Sequence, residues 1–325
     1  MTKVNFTKVA KEVIETEIQS LKKLKKNIKS SFNKAVQAIL NCKKGKVIIS
    51  GVGKSGIIAK KIASTLSSVG TPSFFVDASA CSHGDLGQIS SNDVLILISL
   101  SGETDELKNI IQYANRNKIT LIGIVSKKNS ILYKASDIKL LIPEIKEAGP
   151  GGIVPSSSII TQSSIGDALS IATMNLKKFG KLEFKKFHPS GSLGSKLKTV
   201  EDLMITGKKI PFIDQNLKMR NALKIITNKK LGVLIVKNHK NKTTGIITDG
   251  QIRRAIQKNK DLQNLPIKKV MTLNPISVSK DMLAAKALSL MNSKKITSLC
   301  INNKKSKYKT IGIIHIHNIL EANVR

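Results

Sequence analysis

Five short apolar runs, near Lys46–Ser50, Ser73–Val76, Val94–Ser99, Thr120–Val125 and Ile138–Leu141, alternate with helical stretches in the first half of this 325-residue chain. Strands that are apolar on both faces have no solvent side, so they belong in a parallel sheet covered by helices above and below. Helices are expected near Ser55–Ser68, Thr104–Lys118 and Pro155–Phe179. The spacing of Phe6, Val9, Val13, Ile14, Ile18, Leu21, Leu24 and Ile28 predicts one or two amphipathic helices over 5–41. A sheet of this kind binds its ligands at the carboxyl ends of its strands.

Two polar loops fall at that edge. Gly51-Val52-Gly53-Lys54-Ser55-Gly56 follows Val47-Ile48-Ile49, and Ser99-Leu100-Ser101-Gly102-Glu103-Thr104 follows Val94–Ile98. Each hands a strand over to a helix, presenting backbone N–H groups and hydroxyls at a helix N-terminus, where phosphate is held well. Together they predict a phosphorylated small molecule. Ser55, Ser99, Ser101 and Thr104 would grip the phosphate, with Gly51 and Gly53 letting the backbone approach.

Other readings of these loops are weaker. Gly51-x-Gly53-x-x-Gly56 matches the dinucleotide fingerprint, with Asp77 as the acid about 20 residues on. A dinucleotide fold, however, has no use for the second hydroxyl loop. A P-loop needs a glycine where Ile48 stands. A serine-rich loop before a helix can also be an ordinary N-cap.

From about residue 200 an internal repeat appears. Met204 pairs with Met271, Ala222-Leu223 with Ala287-Leu288, Gly245-Ile246-Ile247 with Gly312-Ile313-Ile314, and Ile252 with Ile319. Each unit reads helix, strand, strand, helix, with strands at Gly232–Val236 and Gly245–Thr248 or Ser298–Ile301 and Gly312–His315. Each buries too little surface alone, so the two should pack as one module. Thr248 and Asp249 could hold a ribose. The second unit has His315-Ile316-His317 at that place and lacks the acid, so two equivalent sites are not expected.

The net charge of +34 suggests nucleic acid, but aromatics are 3%, Trp is absent, and Arg occurs only at 116, 220, 253, 254 and 325. Readers of nucleic acid combine Arg with stacking groups, so the lysines read as solvated faces and no specific nucleic-acid partner is expected. There is no membrane-length apolar run and no signal-peptide core, and Cys42, Cys81 and Cys300 are too few for a disulfide framework. A cytoplasmic protein is expected. Cys81, His83 and Asp85 alternate, but ligands at i, i+2 and i+4 make a poor metal site. Glu147 precedes Ala148-Gly149-Pro150-Gly151-Gly152 and a long helix, the composition of an active-site loop.

With these residues in view the chain resembles the arabinose 5-phosphate isomerases of Gram-negative bacteria. The two loops and the Glu147 segment resemble a sugar isomerase (SIS) domain. The repeat, with Ile247-Thr248-Asp249-Gly250 and Met271-Thr-x-x-Pro275, is similar to a pair of CBS motifs. Further matching stretches are Gly70-Thr71-Pro-Ser-Phe-Phe-Val76, Ser82-His83-Gly-Asp-Leu-Gly87 and His188-Pro-x-Gly-x-Leu-Gly194.

The resemblance implies an α/β fold: a three-layer α/β/α SIS domain with a five-stranded parallel sheet, then a tandem CBS α+β module. The boundaries would be a helix at 1–35, the SIS domain at 36–180, an active-site segment and linker at 181–203, and CBS units at 204–263 and 271–325. It implies interconversion of D-ribulose 5-phosphate and D-arabinose 5-phosphate, the first step toward Kdo (3-deoxy-D-manno-octulosonate) for lipopolysaccharide. It carries the catalytic roles to Lys54, Glu106, Glu147 and His188 and adds Gly70, Thr71 and His83 to the substrate residues, with His83 also a site of inhibitory zinc. No cofactor is implied. A homotetramer with active sites shared between subunits is implied, with a nucleotide or CMP-Kdo at the CBS module. The alternatives are a non-catalytic sugar-phosphate sensor and an isomerase for another sugar phosphate. Leu100, Gly149, Ser190, Ser192 and Gln251 depart from the family's usual residues, as does the stretch Asp77–Cys81.

Overall fold

The computed structural model describes residues 5–188, 191–303 and 306–324, and the chain divides into two compact units, Met1–Phe187 and His188–Arg325. The first opens with α1 (Phe6–Asn27), whose N-cap Asn5 accepts the Lys8 N–H at 3.1 Å, and α2 (Ser30–Asn41). Alternation follows: β1 (Val47–Gly51), α3 (Gly53–Ser68), β2 (Ser73–Phe75), α4 (Ala78–Cys81), β3 (Val94–Ile98), α5 (Lys108–Arg116), β4 (Thr120–Val125), α6 (Ile131–Ala135), β5 (Ile138–Leu141) and α7 (Ser157–Leu176). A short helix, α8 (Lys181–Phe187), ends the unit.

The five strands form one parallel sheet in the order β2-β1-β3-β4-β5. β1 and β3 are buried at every position, the burial that apolar runs without alternation require. Ile49, Ile96, Ile98, Ile122 and Ile124 pack with α2, α3 and α7 on one face. Ile48, Leu95, Leu97 and Leu121 pack with α4, α5 and α6 on the other. The strand order reverses between β1 and β3, and the helices that follow these strands lie on opposite faces. A crevice opens at such a switch point, outside the carboxyl ends of the strands.

The second unit contains α9 (Gly191–Lys196), α10 (Val200–Leu203), β6 (Ile205–Thr206), β7 (Phe212–Asp214), α11 (Met219–Lys229), β8 (Val233–Lys237), β9 (Thr243–Thr248) and α12 (Asp249–Lys258). It continues with β10 (Thr272–Leu273), β11 (Ser277–Val278), α13 (Ala284–Lys294), β12 (Ser298–Asn303), β13 (Ser306–His315) and α14 (Ile316–Glu321). Its two sheets run β10-β9-β8-β7 and β11-β12-β13-β6. The repeats therefore exchange short strands: β6 pairs with Gly312-Ile313, and β10 pairs with Gly245-Ile246. Gly245 and Gly312 make this possible, since a Cβ on either would lie 2.6 or 2.7 Å from the sulfur of Met271 or Met204. Between the sheets, Ile210, Val233, Ile235, Cys300 and Ile313 form a shared core, so the two repeats make one module.

Candidate active site

The first loop begins where β1 ends. Val52 is extended and α3 starts at Gly53, whose φ of +58° is costly for any residue with a Cβ. Gly56 is required by space, because a Cβ there would lie 2.6 Å from the Gly51 carbonyl oxygen. These two glycines fold the backbone tightly enough to aim the first N–H groups of α3 outward. Lys54 is exposed and Ser55 half-buried. A cavity of about 260 Å³ is lined by Gly51, Gly53, Lys60, Phe75, Asp77 and Ser79 among others. Asp77 is exposed and caps α4, accepting the Ser79 N–H at 2.8 Å, a structural task unlike that of a ribose acid.

The second loop lies beside the first, since Gly51 is in register with Ile98 and neighbouring strands are about 4.8 Å apart. Its hydroxyls are organised from within. Buried Ser99 Oγ lies 2.7 Å from Thr104 Oγ1 and accepts the Gly102 N–H at 3.0 Å. Ser101 Oγ accepts the Glu103 N–H at 3.2 Å. The helix expected from Thr104 starts as a 3₁₀ turn, Asp105–Leu107, and becomes α-helical at Lys108. Glu106 on that turn is exposed, and among the described residues neither it nor Lys54 has an ion-pair partner.

Glu147 is fixed by the helix it precedes. Its Oε2 accepts the Ser156 N–H at 2.8 Å, the Ser158 N–H at 3.2 Å and the Ser156 hydroxyl at 3.3 Å. Ser156 Oγ in turn accepts the Ala148 N–H at 2.9 Å. Burial pushes this carboxyl up, but the hydrogen bonds from Ser158 and Ser156 outweigh burial and hold it below its ordinary value. Desolvation alone would have raised it toward neutrality, and the helix N-terminus reverses that expectation. The bonds from the two N–H groups and the Ser156 hydroxyl all fall on Oε2.

α3 and α7 bring Glu147 to the loops. Ile62 fills the space where Gly166 has no side chain, and Lys61 pairs with Asp167. Ile62 lies nine residues into α3 and Gly166 nine into α7. Both helices start at the carboxyl edge of the sheet, so their N-termini lie toward that same edge.

Other expected site residues lie elsewhere. Gly70 and Thr71 precede β2, at the edge of the sheet opposite this chain's own loops. The Gly70 N–H donates to the Ser67 carbonyl at the end of α3, and Phe179 covers the glycine. Thr71 is buried and its hydroxyl accepts from Lys177 Nζ at 2.9 Å. The pair locks the far ends of α3 and α7 together. His83 is exposed after α4, on the correct edge. Cys81 turns into the core, its thiol pushed up to about 11 by burial and by Asp85 and Asp77, so it does not join His83 in a ligand set. Among the described residues no group of three or more His, Cys, Asp or Glu could hold a metal ion. His188 begins the second unit, and Pro189 and Ser190 beside it lie outside the described residues.

Thr248 is committed to an N-cap: its hydroxyl pairs with Gln251, whose Oε1 also accepts the Thr248 N–H at 2.8 Å. Thr248 and Asp249 both line a cleft. The residues that sequence reasoning missed are Ser156 and Ser158. Their position at the opening of a helix, nine and eleven places after a glutamate, was the available sign.

The SIS domain model matches residues 39–172, and the CBS domain model matches 200–258 and 267–325. The chain is 39% identical to the arabinose 5-phosphate isomerase KdsD of Yersinia pestis, over 99% of this chain and 97% of the relative. It is also 39% identical to the uncharacterized protein RP505 of Rickettsia prowazekii, over 98% of each. Among solved structures, Escherichia coli CFT073 c3406 in complex with arabinose 5-phosphate is similar with a TM-score of 0.56 and 36% identity, covering 58% of this chain and all of that one.

Proposed function

This chain belongs to the arabinose 5-phosphate isomerase family, and from that premise we propose that Glu147 drives its aldose–ketose interconversion through a cis-enediolate. The reaction interconverts D-ribulose 5-phosphate and D-arabinose 5-phosphate. The observation that carries the reading is the pairing of two anion-binding loops across one switch-point crevice, with a carboxylate tethered by a single oxygen at the adjacent helix N-terminus.

In the direction of the aldose, Glu147 takes a proton from C1 of the ketose. The C–H electron pair forms the C1–C2 double bond, and the C2 carbonyl oxygen takes up charge. The same carboxyl returns the proton to C2, while the O1 proton passes to the charged O2 as the C1 aldehyde forms. Carboxylates manage such transfers without an external acid or base when aimed at the carbon. Lys54 balances the enediolate charge, Glu106 relays an oxygen-bound proton, and His188 positions or protonates sugar hydroxyls. The aldose then supplies Kdo for lipopolysaccharide. Incubation with ribulose 5-phosphate in D₂O with EDTA should give arabinose 5-phosphate carrying deuterium at C2. Product without solvent deuterium would point to a hydride shift and dismiss the enediolate.

A homotetramer in the cytoplasm completes the reading, with His188 serving a neighbouring chain's site. Among the described residues no helix is long and apolar enough to cross a membrane. Val9, Ile14 and Ile18 on α1, Ile57 on α3, and Ile171 and Leu176 on α7 are exposed in the single chain, apolar surface that neighbouring chains would cover in the tetramer. Light scattering should return four chains of 35.4 kDa, and Ile14→Lys with Ile18→Lys should lower the mass. A wild-type monomer would reject the tetramer.

A further inference from the structure

Three ties fasten the second loop to the turn between β4 and α6. The Leu100 carbonyl accepts the Ser126 N–H at 3.0 Å, the Gly102 carbonyl accepts the Leu132 N–H at 3.1 Å, and Glu103 Oε1 accepts the Ile131 N–H at 3.1 Å. Gly102 permits the approach, since a Cβ there would lie 2.6 Å from both Ser130 Cβ and Val125 Cγ2. Two of the ties come from backbone carbonyls, which every residue carries. The third comes from a side chain, so it alone depends on which residue stands there.

A glutamate in this place needs a reason. Glu103 is the one acid in Ser99–Thr104, a loop that otherwise offers hydroxyls and N–H groups to an anion. Its charge repels a phosphate, an effect that solvent screens without abolishing. Ile131 opens α6, and the hydroxyl of the N-cap Ser130 is engaged by the Tyr133 N–H at 3.3 Å. The Ile131 N–H, one of the donors that a helix start leaves unpaired, goes to Glu103 instead. The Glu103 N–H in turn donates to Ser101 Oγ at 3.2 Å. One residue therefore joins α6 to a hydroxyl assigned to the phosphate.

We propose that Glu103 is a positioning residue for the sugar phosphate: its carboxylate, held on the Ile131 N–H, fixes the loop so that Ser101 and Thr104 meet the phosphate together. This rests on reading the second loop as the phosphate grip. It separates two conservative-looking changes. Glu103→Gln keeps an acceptor for the Ile131 N–H and removes the charge, so KM for ribulose 5-phosphate should stay at or below the wild-type value. Glu103→Ala removes the charge and the tie, and KM should rise about three- to tenfold, the range of one lost hydrogen bond. The tie can also be cut from its other side. Ile131→Pro deletes the N–H at the first helical position, where proline is accepted. Ser130 before it is already extended, at φ −72° and ψ 159°, as a residue preceding proline should be.

The test is steady-state kinetics of the full chain with ribulose 5-phosphate, and with inorganic phosphate as competitive inhibitor. Ile131→Pro should raise KM as Glu103→Ala does, and the double variant should be no worse than either, because both remove one bond. Inhibition by phosphate should weaken in step with KM, since phosphate carries no sugar hydroxyl for Glu103 to hold. kcat should change little throughout. Amide exchange reads the tie without activity: the Ile131 amide should exchange faster in Glu103→Ala and stay protected in Glu103→Gln. Thermal melts check folding. A wild-type KM in Glu103→Ala, an equal rise in Glu103→Gln, a loss of kcat in Glu103→Gln, or additive effects in the double variant would overturn the proposal. If Ser101→Ala with Thr104→Val raises KM and Glu103→Ala does not, this role alone fails; if neither does, the reading of the loop fails with it.

Discussion

Glu147→Gln should lower kcat by about 10²–10⁴-fold while leaving KM little changed, the signature of a lost proton-transfer group. Gln keeps the length of the side chain, and its amide oxygen can still accept the Ser156 and Ser158 N–H groups that hold Oε2 in place. The loop should therefore keep its shape, and a thermal melt checks that it does. What Gln lacks is a basic atom at the free position. The hydrogen bonds that lower this carboxyl's pKa also set its pH profile. Its folded pKa lies below the ordinary 4.5, so it stays ionised through neutral pH, and its tether is lost only as pH falls through the folded value. An acid limb in kcat/KM near pH 6 would then come from a group other than Glu147, such as the second ionisation of the sugar phosphate, about 6 for phosphate esters. That limb should survive in Glu147→Gln. Near-normal turnover in this variant would remove Glu147 from the reaction.

The strands at 47–51, 94–98 and 120–125 were legible because their apolar runs, Val-Ile-Ile, Val-Leu-Ile-Leu-Ile and Leu-Ile-Gly-Ile-Val, show no polar alternation, as two-sided burial requires. The loops were legible because glycine and hydroxyl residues concentrated at strand ends. The exchange of β6 and β10 between the repeats left no comparable trace. A strand of two residues has no period, and its partner lies about a hundred or about thirty places away. Met204 and Met271 showed that the repeat existed but not that each methionine packs on a glycine of the other repeat. Glu147 could be found by its context, whereas its charge state could not: that depends on N–H groups beyond a turn that only the folded loop closes. Gly70 and Thr71 lie before a strand, and strand direction alone places them at the edge away from this chain's own loops. Resemblance in a short stretch carries no such direction, and the topology had to supply it.

Ser101→Ala combined with Thr104→Val should raise KM for ribulose 5-phosphate by about 10²-fold or more, since hydrogen bonds to a charged group are worth roughly 1.5–3 kcal/mol each. The two share one loop, so their effects need not add. Turnover at saturation should change much less, because the phosphate is gripped equally in ground and transition states. Ser99 is deliberately excluded. Its buried hydroxyl accepts the Gly102 N–H and meets Thr104, so removing it would deform the loop as well as weaken the ligand. Ser101 is exposed, accepting the Glu103 N–H and lying 3.4 Å from Ser99 Oγ, which makes it the cleaner probe. Inorganic phosphate offers a second reading free of the sugar: as a competitive inhibitor of the wild type, it should lose potency in parallel with KM. An unchanged KM and an unchanged inhibition constant would mean that the phosphate is held elsewhere, and the 260 Å³ cavity beside Lys60 and Ser79 would be the next position to test.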